Sequence, residues 1–288
     1  MSMRKANSGA SYVPAPSAAL LRKRAAEKAA RPAGARPDGR ASAALRPVFM
    51  ENNVVSRAVG SAYYEARATK VICSVYGPRP SQRKMQFSEA GTVQCDVKFA
   101  PFARSGARPR DGQSDEEKEL SLTVLRAIEA SIMTDKFPKS VLDVYVVIIS
   151  DCGSTTAACI NCTALALVNA GIELFDVVTA ASVVGIPTDD GTLDLRVDPL
   201  KEEEDLCTSS LTVAQMPSLE EVTLLQQSGR VLPKDMLNTT RLGLDATAVI
   251  HRMMTKRVTD GVEPVLTDAG SNDSSDSGDS GDDGAVEE

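Results

Sequence analysis

No apolar run in this sequence reaches about 18 residues, so no membrane-spanning helix is expected. No basic-then-apolar leader opens it, so no secretory signal is expected. It holds a single histidine, His251, and no neighbouring motif supplies partners for a Ser/His/Asp triad. On a C-terminal helix that histidine reads as a surface or interface residue. Its six cysteines lack the spacing of a small disulfide scaffold, which points to reduced thiols of cytosol or nucleus. One Cys-x-x-Cys pair, Cys159 and Cys162, has no second pair to complete a zinc site. The pair lies inside an Ala-rich stretch rather than at a first helical turn, where the dipole would activate a redox thiol, so both cysteines read as core. There is no short-period repeat.

What is present is an ordinary globular composition. The 288 residues are 42 % apolar and 25 % charged, enough for a sizeable core in one large domain or two small ones. The net charge of −7 argues against a wholesale basic nucleic-acid binder, but it averages three unlike segments. Residues 1–40 carry nine basic groups and two acids, whereas 268–288 carry eight acids and no Lys or Arg. The reading is a basic disordered tail (1–35), a folded domain (36–260) and an acidic disordered tail (261–288), the last too poor in apolar groups to offset the entropy of ordering.

Within the folded part, alternation in Val71–Tyr76 and Val93–Phe99 predicts two strands, closed by Gly77-Pro78 and Pro101. Ser114 and Glu117 form a capping box ahead of a helix with Leu120, Val124, Ile128 and Ile132 on one face. The β-branched run Val141–Ile149 reads as a central strand covered on both faces. A small-residue helix follows from Ala157 to Asn169, with Gly171 as its C-terminal cap. Strands are expected over 177–186, 193–197 and 211–216. Ser218 and Glu221 read as a second capping box opening a helix to about Gln227, and a last helix over 235–257 shows Leu242, Ala246, Val249 and Met253 on one face. The order gives an α+β or mixed α/β class with sheets covered by helices.

Three places could carry chemistry. Asp151-Cys-Gly-Ser-Thr-Thr joins a buried strand to a helix start, where backbone N–H groups and the dipole favour an anion; the plainer reading is that Ser154 or Thr155 caps the helix. No Lys or Arg lies in that turn. The acidic run Asp198–Asp205 could hold Mg²⁺ through its carboxylates, while a solvated acidic face or partner patch is the plainer reading. Arg104, Arg108 and Arg110 form a basic loop able to touch RNA phosphates.

Taken in order, Arg36-Pro-Asp-Gly-Arg40, Gly60–Ala66, Thr69–Arg79, Pro101-Phe102, Asp151-x-Gly-Ser, Ala164–Ile172, Asp198-Pro with Glu203-Glu204, and Leu211–Pro217 resemble the RNase PH family as found in the ring of the RNA exosome. The resemblance covers about residues 36–257. It implies an α+β RNase PH fold of β-α-β-β-α type halves, packed with other RNase PH-like subunits into a hetero-hexameric ring that carries cap subunits and threads RNA. It also implies a place in the nucleus, nucleolus and cytoplasm. Active members use inorganic phosphate to cleave the 3′ end of RNA.

The resemblance further implies a degenerate pocket. The phosphate turn of active members reads Gly-(Ser/Thr)-Arg; here it is Gly153-Ser154-Thr155, without the bidentate cation. Two basic residues before the first long helix are matched by Glu116 and Glu117, which would repel phosphates. An aspartate pair six apart is replaced by Asp198 and Asp205, seven apart, with Pro199 between. No catalytic residue, metal or cofactor is therefore expected, and Arg79, Arg104, Arg108 and Arg110 stand as RNA contacts. The alternative is a phosphate-dependent 3′-to-5′ exoribonuclease whose missing arginine comes from Arg79 or Arg104.

Overall fold

The computed structural model describes residues 36–80, 90–104, 113–188 and 193–269, with side chains as far as 260. The basic stretch 1–35, Arg108, Arg110 and the acidic tail beyond residue 269 lie outside the described residues, whereas 261–269, read from sequence as the start of that tail, continue the last helix. Strands β1 (Val48–Asn52), β2 (Gly60–Ala66) and β3 (Thr69–Pro80) form an antiparallel meander. After β4 (Thr92–Phe99) the chain passes through α1 (Asp115–Glu129) and returns as β5 (Ser140–Ser150), parallel to β4 and antiparallel to β3. Parallel neighbours require a crossover, which α1 supplies. The sheet order is β1-β2-β3-β5-β4. A second, wholly antiparallel sheet has the order β7-β6-β8-β9, from β6 (Thr179–Pro187), β7 (Leu193–Val197), β8 (Ser209–Met216) and β9 (Glu221–Gly229). The single turn α3 (Lys201–Glu204) joins β7 to β8, and α4 (Pro233–Ala269) packs across β6 and β8.

Helix α2 (Thr155–Asn169) joins the two sheets. Every residue from Ala157 to Leu167 is buried, because it packs on β2 and β3 of one sheet and β6 of the other. A helix apolar all round has this environment. Gly60 permits the approach: a β-carbon there would lie 2.3 Å from the Ala170 nitrogen and 2.5 Å from the Ala166 oxygen. The helix ends as the sequence predicts, with Gly171 at φ +68° and bonds from Gly171 N–H to Val168 O (3.0 Å) and Ile172 N–H to Leu167 O (3.3 Å). The Ser114/Glu117 capping box is also formed.

Four local expectations change. The strand β3 runs through Gly77-Pro78 to Pro80, with a register shift between Tyr76 and Arg79, rather than ending there. β5 is central by hydrogen bonding but covered on one face only; Tyr145 and Val147 are 41 % and 42 % exposed, so its continuous β-branched run does not report two-sided burial. The segment after Ser218 is strand β9, not a helix. Glu221 pairs with Met216 across a short turn, and the Ser218 hydroxyl and N–H bond to Asp176 instead of capping. Pairing along the edge of β8 overrides the local capping pattern. Finally, α4 buries Ala246, Ile250 and Met254, while Val249 is 43 % exposed. Leu242, Ala246 and Met253 of the expected face do pack on the core, so the face is widened to Gly243, which sits over Val213 and Val183, and loses only Val249.

Candidate functional site

The turn from β5 into α2 is fixed from below. Gly153 has φ +93°, and a β-carbon there would meet Pro199 O at 2.5 Å and Leu200 C at 2.7 Å, so the segment leading into α3 lies directly on it. Gly153 O accepts from Thr69 Oγ1 (2.9 Å) and Arg46 Nη2 (3.1 Å). Ser154 is left-handed (φ 55°), and its hydroxyl makes no capping bond. The capping reading of Ser154 is therefore corrected: α2 takes a carboxylate from another element instead. Ser154 N–H donates to Glu204 Oε1 at 2.7 Å. The Thr155 hydroxyl bonds to Asp151 Oδ1, which also accepts from Gly153 N–H (3.4 Å). The anion-favouring end of α2 is thus occupied by the chain's own acids.

Besides the buried Arg46, the turn is reached by Arg104. Its Nε donates to Asp151 Oδ2 (2.5 Å), its Nη1 to Glu116 Oε2 (2.6 Å), and its guanidinium lies 3.9 Å over the Phe99 ring. Burial disfavours the Asp151 charge, but Thr155 and Arg104 outweigh it and hold the carboxyl below the usual aspartate range. Glu116 faces Arg104; Glu117 does not. Glu117 is buried and accepts from the Phe99 and Ser114 N–H groups, so it ties α1 to β4.

Arg79 does not join this group. It pairs with Asp143 near the end of β5 that starts at Ser140, whereas the turn follows Ser150, roughly 23 Å along the strand at about 3.3 Å per residue.

Two members of the acidic run 198–205, Asp198 and Glu203, are drawn inward, whereas Glu202 and Asp205 stay exposed as the solvated-face reading expects. Asp198 is buried, left-handed (φ 52°), and accepts from Arg46 N–H (3.0 Å), Nε (2.8 Å) and Nη2 (2.5 Å). Burial opposes its ionisation, yet the Arg46 guanidinium keeps its carboxyl below the usual range. Glu203 takes Arg36 on both oxygens (3.1 and 3.0 Å), Arg196 Nη1 (3.0 Å) and Leu200 N–H (3.0 Å). Asp205 is exposed at the end of α3 and does not meet Asp198. A divalent ion does not fit this donor set, because Asp198 is already committed to a fully buried arginine. Among the described residues no three His, Cys, Asp or Glu side chains gather as ligands. The void beside Arg46, Asp198, Ser154 and Asn161 measures about 10 Å³, room for one water rather than a nucleotide.

Sequence reasoning passed over Arg46 and Arg196, and it read Glu204 only within the acidic run and its motif. Arg36 and Arg40 were visible only inside a motif. Burial of an arginine pair partner leaves no local periodicity to read. Cys159 and Cys162 are fully buried with thiols pushed well above their ordinary range by desolvation, as the core reading expects. His251 is half-buried on α4, with Nδ1 lacking a hydrogen bond.

Two family models match the chain. Residues 44–173 fit domain 1 and residues 176–246 fit domain 2 of the 3′ exoribonuclease family, RNase PH. The chain is 37 % identical over 219 residues to an Arabidopsis thaliana protein named exosome complex component RRP41-like, covering 76 % of this chain and 82 % of the relative. It is 35 % identical over 231 residues to human exosome complex component MTR3, covering 76 % and 84 %. MTR3 is the ring-subunit type that Asp198–Glu204 and Leu211–Pro217 most resemble by motif. The crystal structure of rice Rrp46 superposes with a TM-score of 0.65 at 28 % identity, covering 76 % of this chain and 98 % of that one. A chain of the Archaeoglobus fulgidus exosome, solved with RNA bound to the active site, shares the fold at a TM-score of 0.67 and 19 % identity, covering 82 % and 98 %.

Proposed function

The chain belongs to the RNase PH family of 3′ exoribonucleases, and from that premise we propose that it is a non-catalytic subunit of the six-membered RNase PH-like ring of an RNA exosome. It supports 3′-to-5′ RNA processing and decay, ribosomal RNA and messenger RNA included, by completing the ring, carrying cap subunits and guiding RNA. Its partners are other RNase PH-like chains, cap subunits and RNA, and its place is the nucleus, nucleolus and cytoplasm. The relatives named as exosome components support the assembly.

One observation carries the non-catalytic part: the Glu204 carboxylate sits 2.7 Å from Ser154 N–H, where an attacking phosphate would need that donor. Phosphate would have to displace an internal carboxylate and approach Asp151 and Glu116, and both arginines at the turn are already paired, Arg104 with those acids and Arg46 with Asp198. Loss of a single oxyanion-type donor costs roughly 3 kcal/mol of barrier lowering. Asp198, the carboxylate that would serve metal or proton transfer, is held by Arg46 instead.

Arg104 is what favours the alternative, a phosphate-dependent exoribonuclease, because it reaches the turn. The two readings separate in one preparation. Affinity purification of the chain recovers RNase PH-like partners, and the recovered ring, given oligoadenylate, Mg²⁺ and phosphate, yields no nucleoside diphosphate that depends on this chain. Nucleoside diphosphate release abolished by Arg104→Ala in this chain alone would establish the enzyme reading. A chain that stays monomeric and recovers no such partners would refute ring membership.

A further inference from the structure

Phe102 is 75 % exposed, more than any other large apolar side chain among the described residues. It does not sit on a loose loop. Ala100 N–H bonds to Ile148 O (2.9 Å), Ala103 N–H to Ala100 O (2.9 Å), and Asp151 N–H to Ala103 O (3.3 Å), so the turn 100–103 is clamped between the ends of β4 and β5. The next residue, Arg104, is clamped as well: Asp151 and Glu116 hold its Nε and Nη1, and the Phe99 ring backs one face of its guanidinium. Its side chain is still 40 % exposed.

We propose that Phe102 and Arg104 form a stacking platform for an unpaired nucleobase of single-stranded RNA beside the turn from β5 into α2. This rests on the reading that the chain guides RNA, and it replaces a phosphate contact by a base contact at Arg104. Planar aromatic rings and guanidinium groups both stack on bases, and such contacts tolerate any base because each has a π-face. The surrounding acids set the choice. Asp151, Glu116 and Glu204 cancel the positive charge that a phosphate would seek, while a neutral base face suffers no such repulsion. A rigid turn also means that little side-chain and backbone freedom is lost on binding.

The test uses the full-length chain and fluorescence anisotropy, with a short oligouridylate and an abasic oligomer of the same phosphate count. Wild type binds the base-bearing oligomer more tightly. Phe102→Ala weakens that binding by about 5- to 100-fold, leaves the abasic oligomer and the salt slope unchanged, and Phe102→Tyr restores it. Because Phe102 is exposed, the variant keeps the fold, which circular dichroism checks. Equal affinity of wild type for the two oligomers, no binding of either, or an unchanged Phe102→Ala overturns the platform. So does a variant that binds RNA normally but recovers fewer RNase PH-like chains, which would make Phe102 a protein anchor. Ring membership is read separately, from the partners that wild type recovers, and can fail while the platform stands.

Discussion

Replacing Asp198 by Asn tests whether this carboxylate is structural. The change keeps shape, and Asn tolerates the left-handed backbone that residue 198 adopts at φ 52°. It removes the charge facing Arg46, whose side chain is 0 % exposed and whose Nε and Nη2 lie 2.8 and 2.5 Å from the two carboxylate oxygens. Breaking a buried pair from one side costs roughly 3–5 kcal/mol. Arg46 keeps its bonds to Thr69 Oγ1 and Gly153 O, so the lower half of that range is expected. For a folded unit of this size, each kcal/mol moves Tm by about 2–4 °C, which gives a drop of roughly 6–16 °C by calorimetry or thermal circular dichroism. The pH dependence supplies a second readout. The folded carboxyl titrates below its ordinary value, so its stabilisation is fully present above about pH 4, the unfolded value, and is lost as pH falls through the lower folded value. The gap between wild type and Asp198→Asn is therefore constant from pH 7 to about 5 and closes in acid. A loss below about 1 kcal/mol at pH 7, or a gap that persists unchanged in acid, would refute the assignment of Asp198 to the Arg46 pair.

Two further outcomes follow from packing. Gly60→Ala drives a methyl into the Ala166–Ala170 backbone of α2 and lowers the urea midpoint by the equivalent of at least about 2 kcal/mol; an unchanged midpoint would mean that β2 and α2 do not meet this closely. Thiol titration with a disulfide reagent under native conditions finds Cys152 and Cys207 first. Cys73, Cys159 and Cys162 react only on unfolding, because burial removes access and pushes their thiols upward; Cys95, its thiol pushed up to about 12 by burial, reacts slowly. Rapid modification of Cys159 in the folded chain would contradict the two-sided burial of α2.

Much of the fold was readable because periodicity is a local property. The Ser114/Glu117 box and the Gly171 cap lie within a few residues of the partners that satisfy them, and the alternation of β3 and β4 is written in consecutive residues although their partner β5 lies far along the chain. Segments whose state depends on a distant neighbour were misread. Ser218 and Glu221 have a capping pattern, but β8 offered an edge to pair with and Asp176 took the serine. The Val141–Ile149 run could not say how many of its faces a helix would cover.

The site divides in the same way. Sequence alone determined the missing arginine at Gly153-Ser154-Thr155, the surplus of carboxylates around it, and the RNase PH resemblance carried by many spaced motifs. The tertiary structure alone decided where those carboxylates went. It placed Glu204 on the Ser154 N–H and Asp198 against Arg46, and it turned Glu117 inward while leaving Glu116 facing Arg104. The physical reason is that a charged side chain's role is set by the partner that compensates its desolvation, and these partners lie up to 152 residues away along the chain.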